Sequence, residues 1–323
     1  WKINKLYLHI MSLTKALPHR LAVYFTERFP ILVYAPFSVI LYICLSFLVQ
    51  LISGVDPVLD MYSVAGALTA FFFMLLIRTF DDIKDVDLDH DIFPDRPVSR
   101  GAVLIQDVYG LAIVSFCVLV AINILLAPAS IWVFVGVMIY ALGTFKYFFA
   151  EELHIRKPVV AMITHQPLPL SIIFVLIHIS LASGGEYNSF EINHLFLLLT
   201  FALPVTAWEV SRKIKAPSQE IDRYATFSRI LGPRGASIIP LILYVISAGA
   251  SMFLAHHLDL HSSYFVLVGF YLLIVSYAFV RFIAKPIPDR NILKNVAMAY
   301  TGLFFLTLLI YVFIRYQDAI LGA

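Results

Sequence analysis

The chain of 323 residues is 61% hydrophobic and only 14% charged, with 23 Lys and Arg against 21 Asp and Glu for a formal net charge of +2. Soluble domains carry about a quarter charged residues, so this balance excludes an ordinary soluble domain and predicts a polytopic membrane protein. Nothing in the charge total points to nucleic acid as a partner, and no protein partner is implied.

In chain order, residues 1–29 form an N-terminal part of their own. Within it KINKLYLHIMSLTKALPHRLAVYFTER, 2–28, reads as a basic amphipathic segment lying on the membrane surface. From 30 to 323 the chain reads as one membrane domain. A bilayer core takes roughly 20 apolar residues per helix. Residues 29–55 carry no Asp, Glu, Lys or Arg, and neither do 108–145, a run long enough for two helices broken at Ala127-Pro128. Nine spans are predicted, over 30–53, 61–80, 104–126, 129–149, 158–182, 193–213, 235–256, 262–284 and 295–316. The fold class is all-α, a polytopic bundle of nine transmembrane helices. Cys44 and Cys117 fall inside spans and read as small apolar packing residues.

Cytoplasmic loops collect Lys and Arg. With nine spans and the N-terminus inside, 22 of the 23 basic residues fall on the N-terminal segment, the loops after even-numbered spans and the helix ends beside them; only Arg315 falls at the other face. The chain is therefore expected to have its N-terminus and loaded loops in the cytoplasm and its C-terminus opposite.

The first loaded loop is RTFDDIKDVDLDHDIFPDRPVSRG, 78–101, with seven aspartates between Asp81 and Asp95. Asp81, Asp85 and Asp89 are four apart and share a helix face, and Asp82 stands three and seven residues from Asp85 and Asp89. Like charges at these spacings repel, so a cation is expected to offset them. Oxygen donors without Cys or His suit Mg²⁺, which takes one or two carboxylates and bridges to phosphate. His90 is expected to face water. Arg96 and Arg100 follow the acids, and guanidinium groups beside them would suit phosphate oxygens.

The second loaded loop is WEVSRKIKAPSQEIDRYATFSRILG, 208–232. Glu209 is spaced to pair with Arg212 or Lys213 on its own helix. It also falls near the end of an apolar span, where a charge is costly and usually functional. Glu220 and Asp222 follow in the loop. A third basic group comes from Lys146, Arg156 and Lys157; Lys146 reads either as an anion ligand or as a side chain snorkelling to the interface. His165 lies inside the fifth span, where a hydrogen-bonded structural histidine is as good a reading as a functional one.

These features together resemble the UbiA superfamily of intramembrane prenyltransferases. The family's first signature is Asn-Asp-x-x-Asp-x-x-x-Asp. Asp81-Asp82-Ile83-Lys84-Asp85-Val86-Asp87-Leu88-Asp89 fits it except that Asp81 stands for Asn, and Pro94, Arg96-Pro97 and Gly101 match the continuation. The places of the two loops, after spans two and six, also match. The second motif departs: Thr226 and Gly232 keep its tail, while Glu209, Arg212-Lys213 and Glu220 stand where aspartates are usual.

The resemblance implies Mg²⁺-dependent transfer of a prenyl group from a prenyl diphosphate to a hydrophobic or aromatic acceptor, in a lipid-substrate cavity between the helices. It implies Mg²⁺ on Asp81, Asp82, Asp85, Asp89 and Glu209. The diphosphate would be bound by Lys146, Arg96, Arg212, Lys213, Arg28 and Lys84, with Glu220, Asp222, Arg100 and His165 as additional candidates. Phosphoribosyl transfer to a lipid phosphate and intramembrane terpene cyclisation use the same cradle and stay open. A cation transporter or a scaffold for other membrane enzymes is the alternative outside enzymes; transport would call for acids at mid-membrane, and the acids here sit at one interface.

Overall fold

The computed structural model describes residues 16–183, 189–221, 224 and 226–321. Among them there is no strand, and nine helices are long and apolar enough to cross a membrane. The protein is an all-α, integral multi-pass membrane protein.

In chain order the helices are α1 (Leu17–Glu27), α2 (Ile31–Ile52), α3 (Met61–Lys84), α4 (Val86–Ile92), α5 (Ile105–Leu125), α6 (Ile131–Phe145), α7 (Glu151–Arg156), α8 (Pro158–His165), α9 (Pro167–Ser180), α10 (Ile192–Ser211), α11 (Phe227–His257), α12 (Ser263–Ala284), α13 (Leu293–Arg315) and α14 (Gln317–Leu321). Proline places several boundaries. Pro18 opens α1, where its missing N–H costs nothing. Pro128 separates α5 from α6, as the sequence predicts, and Pro167 splits the fifth span into α8 and α9.

Three boundaries differ from expectation by four residues or more: the second span runs on to Lys84, and two others differ for a backbone reason. The fourth span stops at Phe145 because Tyr147, Phe148 and Phe149 take left-handed φ angles of 49°, 50° and 60°. Each costs about 1–2 kcal/mol in a residue with a Cβ. Tertiary contacts hold the turn: a Cβ on Gly143 would lie 2.8 Å from the Phe148 ring, and Tyr140 donates to the Thr164 carbonyl at 2.6 Å. The seventh span begins early, at Phe227, because a short helical turn precedes the kink at Gly232, whose φ of 72° only glycine takes cheaply.

The chain falls into two compact units, one of residues up to 39 with 67–126, the other of 40–66 with the residues from 127 onward. In the first, α1 packs on α5, and Asn123 on α5 donates to Thr69 Oγ1 on α3 at 3.1 Å. In the second, α10 packs on α9, α11 and α13, and α12 packs on α11 and α13. Pro204 inside α10 cannot donate to the Thr200 carbonyl, and Ser247 Oγ on α11 supplies that bond at 3.0 Å. Cys44 is buried and Cys117 is exposed.

Candidate functional site

The acidic loop lies in the first unit. The helical bond pattern runs through it almost unbroken: Asp85 N–H donates to the Asp81 carbonyl, Asp89 N–H to that of Asp85 and Phe93 N–H to that of Asp89, at 3.0, 2.7 and 2.8 Å. Asp81, Asp85 and Asp89 therefore do stand in one row, although Asp85 itself is the joint between α3 and α4. After α4, Gly101 at φ 73° turns the chain back, and Ala102 N–H closes on the Pro97 carbonyl at 2.8 Å. That turn returns Arg100 to Glu27 on α1, bonded at 2.6 and 2.9 Å.

Burial sorts the aspartates. Asp82 and Asp89 are 5% and 6% exposed, Asp81 and Asp85 are half-buried, and Asp87 is exposed. The two buried carboxylates meet arginines. Arg28 and Arg78 both bond Asp82 Oδ1, and Arg96 bonds Asp89 Oδ1. Arg28 Nη2 also lies 4.0 Å from Asp89 Oδ2, so one guanidinium joins the two buried acids. Tyr24, fully buried on α1, donates to Asp82 Oδ2 at 3.0 Å. Arg20 on α1 binds Asp107 at the start of α5 through two bonds of 2.7 and 3.0 Å. A cavity of about 290 Å³ opens beside these groups, lined by Glu27, Arg28, Phe93, Asp95, Arg96 and Pro97. The Arg96 guanidinium sits 3.9 Å from the Phe93 ring centroid, a cation–π contact that keeps it at the cavity wall.

Electrostatics follow these partners. The hydrogen bond from Arg100 holds the Glu27 carboxyl below its ordinary pKa. Burial first, and then the charge of Asp82, push the Tyr24 phenol above the usual phenol range. Lys84 closes α3.

The second loop lies in the second unit and its acids have local partners. Glu209 Oε2 accepts from Arg212 Nε at 2.7 Å and Nη2 at 2.6 Å, the intrahelical pair that its spacing allowed. Glu220 accepts from Thr226 Oγ1 at 2.7 Å and Ser228 Oγ at 2.6 Å, and Thr226 caps α11 through the Arg229 N–H. Lys213 is half-buried beside Arg212. Asp222 lies outside the described residues, as do residues 2–15 of the N-terminal segment. Lys146 ends α6 with its Nζ 5.0 Å from the Phe145 ring centroid. The His165 ring nitrogens lie 2.9 Å from the Ala161 carbonyl and 3.0 Å from that of Thr144, in the helix junction that follows Lys146.

Among the described residues, no group of three or more His, Cys, Asp or Glu converges as a metal cage. Mg²⁺ needs only one or two carboxylates and keeps its waters. The half-buried Asp81 and Asp85, on one face of the chain's helical path, fit that demand. Glu209 and Glu220, held by their own neighbours, fit it less well. Sequence reasoning missed Arg20, Tyr24, Glu27 and Asp107. The short spacings of Arg78–Asp82 and Asp89–Arg96, four and seven residues, were the one legible sign of these pairs; the others join residues 54 to 87 positions apart.

No family model and no curated protein matches the sequence. Solved structures match its fold. One is the apo structure of a UbiA homolog from Aeropyrum pernix K1, with a TM-score of 0.60 and 14% identity over 85% of this chain and 97% of that one. Another is a structure of digeranylgeranylglyceryl phosphate synthase, with a TM-score of 0.57 and 14% identity over 91% of this chain and 98% of that one. At this identity the likeness is one of fold.

Proposed function

We propose that this chain is a member of the UbiA superfamily and an intramembrane prenyltransferase. It would transfer a prenyl group from a prenyl diphosphate to a hydrophobic or aromatic acceptor. The observation that carries the reading is the joining of two buried aspartates, Asp82 and Asp89, by Arg28, with Arg78 and Arg96 on the same pair, at the end of an apolar helix. Burying carboxylates is expensive unless they are paired, and a loop that assembles three guanidinium groups around two acids is suited to a polyanion. The nine membrane-length helices among the described residues and the fold's likeness to a UbiA homolog support the same reading.

In the reaction the bond between the prenyl C1 and the diphosphate oxygen breaks, the diphosphate leaves with the electron pair, and C1 bonds to the acceptor, which gives up a proton. Arg28 and Arg96, at the cavity beside the loop, would bind diphosphate oxygens, with Lys84 and Arg100 close in sequence. Asp81 and Asp85 would hold Mg²⁺, and Asp82 and Asp89 would join them where their arginines turn to phosphate. Bound there, Mg²⁺ would neutralise the charge that builds on the departing diphosphate. In the second unit Arg212, Lys213 and Lys146 are the cations assigned to anion binding, with Glu209 orienting Arg212. The basic bias of these loops supports a site on the cytoplasmic side. Aromatic side chains would line the prenyl path and stabilise a developing allylic cation.

The test is diphosphate release by the protein in nanodiscs with geranyl, farnesyl, geranylgeranyl and phosphoribosyl diphosphates, with and without Mg²⁺, in a membrane lipid extract. Mg²⁺-dependent release from an isoprenoid donor is expected. Release from the phosphoribosyl donor alone would move the chain to sugar transfer, and silence with all four would sink the proposal.

A further inference from the structure

We propose that α1 is a positioning element for the acidic loop and that Tyr24 is its principal residue, an inference that rests on the diphosphate-binding reading of that loop. Arg20, Tyr24, Glu27 and Arg28 recur at helical spacing and share one face. All four reach the loop or the helix that follows it: Arg20 to Asp107, Tyr24 to Asp82, Glu27 to Arg100 and Arg28 to Asp82. A helix that merely lay on a membrane would turn its polar face to water. This one turns it onto the loop.

Tyr24 adds a bond from a rigid donor to the hold that the arginines have on Asp82. A carboxylate rotates about its Cβ–Cγ bond, and Arg28 and Arg78 each hold both of its oxygens with long, rotatable side chains, Nη2 on Oδ1 and Nε 3.4 Å from Oδ2. The hydroxyl of Tyr24 donates to Oδ2 at 3.0 Å, closer than either Nε. It comes from a rigid ring with two side-chain torsions, fully buried and edge-on to Phe25 at 5.9 Å. It therefore limits the rotation of Asp82, which the more flexible guanidinium groups follow. Tyr24 is thus a positioning residue; it acts on the substrate through Asp82 and Arg28.

The experiment uses the full chain in nanodiscs, with Tyr24→Phe, which deletes only the hydroxyl. A second variant, Asp107→Asn, loosens α1 through Arg20 without touching the loop, and serves where Tyr24→Phe fails to fold. Three quantities are read: affinity for inorganic pyrophosphate with Mg²⁺, KM and kcat for a prenyl diphosphate, and amide hydrogen exchange over residues 81–92. Losing a bond to a charged acceptor is expected to weaken pyrophosphate binding and raise KM by on the order of tenfold, with kcat within about twofold, with faster exchange over 81–92 and with little change in Tm. A lower Tm with unchanged affinity, KM and exchange would show a merely structural tyrosine and overturn the proposal. If the wild-type chain binds no pyrophosphate, the diphosphate reading falls by itself. The exchange measurement then decides the role of α1: faster exchange in the variants upholds positioning, and unchanged exchange removes it too.

Discussion

Glu209 and Arg212, three residues apart at the end of α10, close on each other through two nitrogen–oxygen contacts of 2.7 and 2.6 Å. The pair is about one quarter exposed on both sides, so it contributes less than about 1 kcal/mol to stability. Its importance lies in what it occupies. Glu209→Gln is expected to leave divalent-ion affinity within about twofold of wild type, the reach of a peripheral substitution, and to alter donor affinity through Arg212. Mn²⁺ titration followed by electron paramagnetic resonance checks this. A tenfold loss of Mn²⁺ affinity would return Glu209 to the metal site.

The half-buried aspartates should behave in the opposite way. Asp81→Asn and Asp85→Asn are each expected to lower Mg²⁺-dependent diphosphate release by on the order of 100-fold, the usual cost of losing one electrostatic stabiliser. Asp87, exposed on the same loop, is the control, and Asp87→Asn should stay within about twofold. Equal effects at all three positions would mean that the loop acts only through its total charge.

Arg28→Ala leaves two buried acids without their shared guanidinium. Breaking a buried pair costs about 3–5 kcal/mol when a charge is stranded. Arg78 and Arg96 remain on Asp82 and Asp89, so the lower part of that range is expected. Thermal unfolding in detergent should show a clear fall in Tm, partly restored in Arg28→Ala with Asp82→Asn.

The Glu27–Arg100 pair predicts a pH effect. The hydrogen bond from Arg100 lowers the Glu27 pKa from its ordinary value of about 4.5. A depressed carboxylate adds stability above its unfolded pKa and loses it as pH falls through the folded one. The contribution is therefore complete above about pH 4.5 and disappears below it. Both side chains are more than a third exposed, so screening keeps it under about 1 kcal/mol. Tm measured between about pH 3 and pH 7 should drop slightly less for Glu27→Gln than for wild type.

Gly66 tests packing in the second unit. A Cβ there would lie 1.9 Å from the Tyr42 ring, which is fully buried and accepts a bond from Ser180 at 3.1 Å. The ring has nowhere to move, so Gly66→Ala is expected to cost at least about 1–3 kcal/mol. Gly110, with nothing within 4 Å of its added Cβ, is the matched site where alanine should raise helix stability slightly.

The amino-acid sequence by itself determined that the chain crosses a membrane and where most of its helices run. Apolar runs of about 20 residues leave the backbone no alternative in a bilayer. It also placed Asp81, Asp85 and Asp89 in one row, because helical periodicity is a local property. Where local rules met tertiary contacts they gave way: Tyr147, Phe148 and Phe149 left the helix that their apolar character suggested, held by Gly143 and Tyr140. Only the tertiary structure decided which aspartates are buried and which arginines hold them. Arg28 reaches Asp82 across 54 residues and Arg20 reaches Asp107 across 87. No pattern of spacing carries such pairs, since they depend on how α1 docks, and that is settled by the summed burial and pairing of its whole inner face.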